Sequence, residues 1–195
     1  MKFAKCRIKH FEVDELRLTK TGKYAKVIEL APNSLFTRNT VVKYTGVDLE
    51  RDILKVVAID CGKASGAIGS GLLKGFGLTR GALASTLTPG GDCVIAVGKS
   101  DEDIASAIRR VAALGCGAVL VSGGMMMAEL VAEHLSSETT DRITAFYKAA
   151  EQLGCRLADP LAALCLLTIK DLPELRLTPD GLYDGVKGEA VSLFE

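Results

Sequence analysis

"GLLKGFGLTRGALASTLTPGGDC", residues 71–93, crowds glycine into one stretch while offering almost no side chain able to do acid–base or metal chemistry. Read as a glycine-rich loop, it has three interpretations: a cradle for a phosphate, a tight structural crossing, or a scaffold that has lost a reactive tip. A cradle needs backbone N–H groups ordered by a defined glycine spacing. The Walker order is missing. The dinucleotide order fails as well, because Gly69-Ser70-Gly71 is followed by Leu72, Leu73 and Lys74, with Gly75 one residue late. Close packing of backbone against a neighbouring strand accounts for the glycines without a ligand.

The surroundings of this stretch are those of a folded globular chain. The 195 residues are 48% hydrophobic, and 24 basic residues balance 24 acidic ones. That length is expected to form a single domain, 1–195, with a substantial core. A net charge of zero and no basic cluster denser than Arg109-Arg110 argue against a nucleic-acid partner. The six cysteines make no Cys-x-x-Cys pair and lie in or beside apolar runs, so they are expected to be buried thiols. The N-terminus "MKFAKCRIKHFEVDE" has no apolar signal-peptide core. Residues 111–128 are uncharged but are interrupted by four glycines and Ser122, which argues against a membrane span. A cytoplasmic protein is expected.

Short apolar, β-branched runs predict strands at 25–30, 39–45, 53–60, 93–98 and 118–122. Gly123-Gly124 then has the spacing of a two-residue hairpin turn into "MMMAEL". Alternation along that strand divides Met125, Met126 and Met127 between two faces, and core packing is expected for them. Ser100 is placed to cap a helix ending at Gly115, with Ile104, Ile108, Val111 and Leu114 on one face. A second helix runs toward Gly154 with Ile143, Phe146, Tyr147, Ala150 and Leu153 inward. A third, buried helix starts at Asp159-Pro160. The pattern predicts an α/β (α+β) fold, a mixed β-sheet covered by helices.

Only two histidines are present, His10 and His134. His134 beside Glu133 could serve a metal or act as a base, but the plainer reading is a surface histidine near the end of a short helix. No metal site can be assembled from His and Cys spacing, and Gly-x-Ser-x-Gly is absent. No catalytic residue, metal or cofactor is expected on this chain.

"GSGLLKGFGLTRGALAST" resembles one family specifically, the C-terminal domain of bacterial and archaeal adenine deaminases. "LERDILKVVAID", "VIAVGKSDEDIASAIRRVAALGCGAVLV" and "EQLGCRLADPLAALCLLTIKDLPELRLTPDGLYD" extend the resemblance over nearly the whole chain. In that family the metal ligands and acid–base groups lie on a separate, preceding (β/α)8 amidohydrolase barrel. The resemblance therefore implies a fold and a lineage, but no catalytic centre on this chain. The family's Ala-His-Asp-Ser-His-Asn is here Thr88-Pro89-Gly90-Gly91-Asp92-Cys93, and its Thr-Gly-Asn-Ile-Gly is Ser65-Gly66-Ala67-Ile68-Gly69. Its loop after the hairpin corresponds to a shorter "LVAEHLSSE". Residues 71–93 accordingly look like a family scaffold whose chemically capable tip is a Pro-Gly-Gly turn.

Three readings follow from the resemblance: a stand-alone, non-catalytic relative with a structural, binding or regulatory role; an accessory subunit of a split adenine deaminase; or a purine or anion binding module. A homo-oligomer or a separate amidohydrolase barrel is the expected partner, with a purine as the expected ligand class if one binds. The ligand-binding candidates, taken from family correspondence, are Lys63, Ser65, Lys74, Ser85, Thr86, Asp92 and His134.

Overall fold

A computed structural model describes residues 6–32, 34–132 and 139–195. In chain order its strands are β1 (Tyr24–Leu30), β2 (Thr37–Lys43), β3 (Ile53–Asp60), β4 (Ile68–Lys74), β5 (Ala82–Ser85), β6 (Cys93–Gly98), β7 (Gly117–Ser122), β8 (Met125–Val131), β9 (Leu175–Thr178), β10 (Gly181–Asp184) and β11 (Glu189–Ala190). Its helices are α1 (Asp101–Leu114), α2 (Thr139–Gln152) and α3 (Pro160–Leu167). Among these residues no helix is long and apolar enough to cross a membrane.

Eight strands form one mixed sheet in the order β2-β1-β4-β3-β6-β5-β7-β8, and β11-β10-β9 form a small second sheet. Every pairing in the large sheet is antiparallel except that of β1 with β4. The expected strands all form, and the α/β (α+β) reading holds. The stretch first read as a glycine-rich loop contributes to the sheet at both ends and in its middle: β4 runs to Lys74, β5 inserts between β6 and β7, and β6 starts at Cys93.

β3 is buried on both faces, so it reads as a continuous apolar run. Leu54, Val56 and Ala58 pack with Phe146, Leu164 and Leu177 on the side of α2, α3 and the small sheet. Val57 and Ile59 pack with Ile104 and Ile108 of α1 on the other. The helix ends follow the caps in the sequence. Ser100 Oγ accepts from the Asp103 N–H at 3.3 Å, and Asp159 Oδ1 accepts from the Ala162 N–H at 2.9 Å. Gly123 and Gly124, at φ 58° and 75°, make the tight turn between β7 and β8.

One departure, and one buried charge, have physical causes. Met125, Met126 and Met127 are exposed (68%, 46% and 45%), not in the core. They open the edge strand β8 beyond the helical cover, and burial in that strand is reached only at Leu130. Lys55, in the middle of β3, is buried. Its ammonium ion-pairs with Asp101 at the start of α1 and donates to the Leu16 carbonyl at 2.9 Å, joining sheet, helix and N-terminal segment.

The small sheet crosses β4 at backbone contact. A Cβ on Gly69 would lie 1.9 Å from the Thr178 carbonyl oxygen and 2.8 Å from the Gly181 nitrogen. No side chain fits there, and the obstruction is backbone that cannot swing aside. Gly69→Ala is therefore expected to destabilise the fold by about 3 kcal/mol, while Ser70→Ala on the opposite face changes it by about 0.5 kcal/mol or less, as read by urea unfolding. Asp101→Ala leaves the buried Lys55 ammonium without its counter-ion and should cost about 3 kcal/mol. Adding Lys55→Met should then restore most of that loss; a double variant no more stable than Asp101→Ala would contradict this account.

Candidate functional site

The end of the large sheet where β3 leaves and β6 enters holds five of the seven residues proposed from the sequence. The β3–β4 connection wraps around Asp60. Its Oδ1 accepts the N–H groups of Gly62 (3.1 Å) and Lys63 (3.2 Å), and its Oδ2 accepts the Ser65 N–H (2.7 Å) and hydroxyl (2.5 Å). These bonds, the Ser65 hydroxyl foremost, hold the Asp60 carboxyl down at about 2. Across from it, the turn at Pro89–Gly91 brings Asp92 alongside, and the Asp92 carbonyl accepts from both Cys61 and Gly62 N–H at 2.9 Å. Lys63, Ser65 and Asp92 thus share one exposed rim.

The remaining candidates divide. Ser85 and Thr86 sit at the same end but are buried, which corrects their placement on a binding surface. The Thr86 hydroxyl accepts from the Gly117 N–H at 2.8 Å and the Ser85 hydroxyl accepts from the Leu87 N–H at 3.0 Å, so both hold the turn leaving β5. Lys74 is at the opposite end of β4, about 20 Å from Ile68 at the usual rise of a strand. There its ammonium meets Glu29 Oε1 at 3.1 Å. It is not part of this rim, because residues 68–74 are an extended strand and not a compact loop. His134 lies outside the described residues.

Space at this end is small. The cleft lined by Lys9, Phe11, Gly66 and Ile68 amounts to 60 Å³. Among the described residues, no group of three or more His, Cys, Asp or Glu side chains is arranged to hold a metal ion. The polar groups here support backbone: Asp60 and Ser65 close a loop, and Asp92 contributes its carbonyl.

The larger concavity lies elsewhere and was missed by motif reasoning. A 540 Å³ groove runs between α3 and the β1–β2 connection, lined by Leu30, Leu35, Phe36, Leu157, Ala163 and Leu166 among others. That volume falls within the range of sites that take an organic ligand or a partner side chain. Leu35 and Phe36 stand 58% and 52% exposed beside it. Arg176 forms part of its lining, fully buried, donating to the carbonyls of Leu172 (2.8 Å), Leu166 (3.1 Å), Leu35 (2.9 Å) and Pro173 (2.5 Å). Burial lowers its pKa to about 10. On the rim, the Tyr147 hydroxyl donates to Asp159 at 2.5 Å, and burial pushes the phenol's pKa up. The only signal in the sequence was the apolar pair Leu35-Phe36 in a segment otherwise rich in turn residues.

Comparison with known proteins bears on the whole chain. Residues 34–189 match the family described as adenine deaminase C-terminal domain. The chain is 37% identical over 190 residues to an adenine deaminase of Dehalococcoides mccartyi, covering 91% of this chain and 33% of that protein. It is 35% identical over 172 residues to that of Archaeoglobus fulgidus (85% and 31%) and 33% identical over 187 residues to that of Moorella thermoacetica (89% and 31%). The chain thus spans about a third of the length of the curated relatives it matches.

The Asp60 loop makes a pH prediction. A carboxyl with a folded pKa near 2, below its ordinary value of 3.8, binds fewer protons folded than unfolded between those values. Its stabilisation is then complete above about pH 4 and drains away as pH falls toward 2. The stability difference between wild type and Asp60→Asn, measured by urea unfolding, should shrink steadily across that window. A difference constant with pH would show that the carboxylate charge does not hold the loop.

Proposed function

The chain belongs to the adenine deaminase C-terminal domain family, and on that premise we propose that it is a non-catalytic domain that docks on an amidohydrolase barrel and supports adenine deamination there. The barrel, in the same assembly, supplies the metal and the groups that convert adenine and water to hypoxanthine and ammonia. This part of the reading rests on the family resemblance. The observation that carries the docking is the apolar groove with Leu35 and Phe36 exposed on its border. Large apolar side chains rimming a concave surface mark a place where a partner removes them from water.

The polar residues at the other end of the sheet support the same division of labour. Asp60 and Ser65 are bonded to their own loop, and Ser85 and Thr86 are buried in a turn. None is presented to a substrate. A purine module at that end would have a 60 Å³ cleft to work with, so the groove is the surface favoured for function.

The test is reconstitution with the metal-loaded barrel portion of a family adenine deaminase, followed by native mass spectrometry and an adenine deamination assay. A one-to-one complex with activity above that of the barrel alone is expected. Phe36→Asp should weaken the association at least tenfold, the effect of losing about 1.4 kcal/mol from one buried aromatic anchor. Deamination by this chain without any barrel would overturn the reading. So would a homo-oligomer that ignores the barrel, which would favour a self-contained structural role.

A further inference from the structure

A second concavity, of 400 Å³, lies at the other end of the sheet from the Asp60 loop, where β3 enters and β6 leaves. It is on the α1 side of the sheet, whereas the apolar groove is bordered by α3. Three stretches of chain close around Lys55 there. Arg17 and Leu18 come from the N-terminal segment, Tyr44 and Val47 from the β2–β3 connection, and Lys99, Ser100 and Asp101 from the junction of β6 with α1. Lys55 is part of the lining although it is only 6% exposed.

The lining is rich in donors and poor in acceptors. An ammonium carries three N–H donors. That of Lys55 gives one to the Leu16 carbonyl at 2.9 Å and one to Asp101 Oδ1, and the third has no acceptor among the described residues. The Tyr44 hydroxyl and the Lys99 ammonium have no hydrogen-bond partner among the described residues either. Ser100 Oγ accepts from the Asp103 N–H, which leaves its own O–H to donate. Arg17 is held by an exposed pair with Asp14 at 3.0 Å, an interaction weak enough to be exchanged. Three cationic side chains thus line the concavity against one carboxylate, Asp101, whose Oδ1 is taken by Lys55. The acidic first turn of α1 already answers the helix dipole, so the attraction for an anion comes from the side chains. Beside these donors, Leu18, Val47 and the Tyr44 ring supply apolar surface, the ring braced edge-on by Phe194 at 4.9 Å.

We propose that this concavity is a binding site for a small phosphomonoester, its phosphate held by Arg17, Lys55, Lys99 and Ser100 and its organic group laid against Leu18, Val47 and Tyr44. Donors that arrive from three chain segments suit a tetrahedral group with three terminal oxygens, where a planar carboxylate would be satisfied by a single fork. Three cations less one carboxylate leave two positive charges in the lining, which a phosphate of about −2 balances. The volume is within the range of small-molecule sites. This site does not rest on the barrel reading.

The test titrates the full, isotope-labelled chain with phenyl phosphate and follows backbone amides by NMR, with calorimetry for the affinity. Saturable shifts centred on Tyr44, Lys55 and Ser100 are expected below about 10 mM ligand. Inorganic phosphate should shift the same amides with lower affinity, because it leaves the apolar surface unused, and benzoate should bind more weakly than phenyl phosphate. Lys99→Glu should weaken phenyl phosphate at least about tenfold without moving the urea midpoint of the free protein. Lys148→Glu, the same charge change on exposed α2, should leave the affinity unchanged. The proposal is overturned if phenyl phosphate gives no saturable shifts, if the shifts centre on the apolar groove, if benzoate binds as tightly, or if Lys148→Glu weakens binding as much as Lys99→Glu.

Discussion

A backbone-to-backbone crossing sets the architecture. At Gly69 the β9–β10 hairpin lies so close to β4 that no Cβ can be accommodated. This brings a second, three-stranded sheet onto the face of the eight-stranded one, where Leu177 and Leu182 join the core built on Leu54, Val56 and Phe146. The segment between α3 and β9 must then turn sharply under the hairpin. Arg176 supports that turn from within, its guanidinium spread over four backbone carbonyls from α3, the following loop and the β1–β2 connection. A planar, forked donor suits this arrangement where a point charge would not. The apolar groove bordered by Leu35 and Phe36 is a product of the same packing, since its lining comes from elements that the hairpin and Arg176 hold together.

The opposite face is organised by charge placed inside the protein. Lys55 projects from the central strand toward α1 and ties Asp101 to the carbonyl of Leu16. Asp101 also lies in the first turn of α1, with Glu102 and Asp103, where negative charge suits the helix dipole. Asp103 reaches further, accepting the N–H groups of Gly123 and Gly124 in the β7–β8 turn. A single helix start therefore secures the N-terminal segment, the sheet and a distant hairpin.

The polar residues beside the tight turns are likewise committed to their own backbone. Serine, threonine and aspartate near tight turns compete for local backbone hydrogen bonds, and Asp60, Ser65, Ser85 and Thr86 are all used in that way. Apolar surface is left exposed at the border of the groove and at the methionines that start β8.

The sequence alone determined the elements whose signals are local. Ser100, Asp159-Pro160 and Gly115 mark helix ends through hydrogen bonds within a turn, the runs at 53–60 and 93–98 announce buried strands, and Gly123-Gly124 specifies its hairpin. The glycine segment also carried the family resemblance. Only tertiary structure decided that Gly69 and Gly71 belong to a strand, because glycine's lack of a side chain is explained by what lies against it, and that partner is more than a hundred residues away. The same is true of Lys74, carried to the far end of the sheet by the extension of β4, and of Ser85 and Thr86, buried because β5 is central. It holds too for Met125–Met127, exposed because β8 is an edge. Burial and neighbourhood are properties of where a strand sits in the sheet, and spacing along the chain does not encode them.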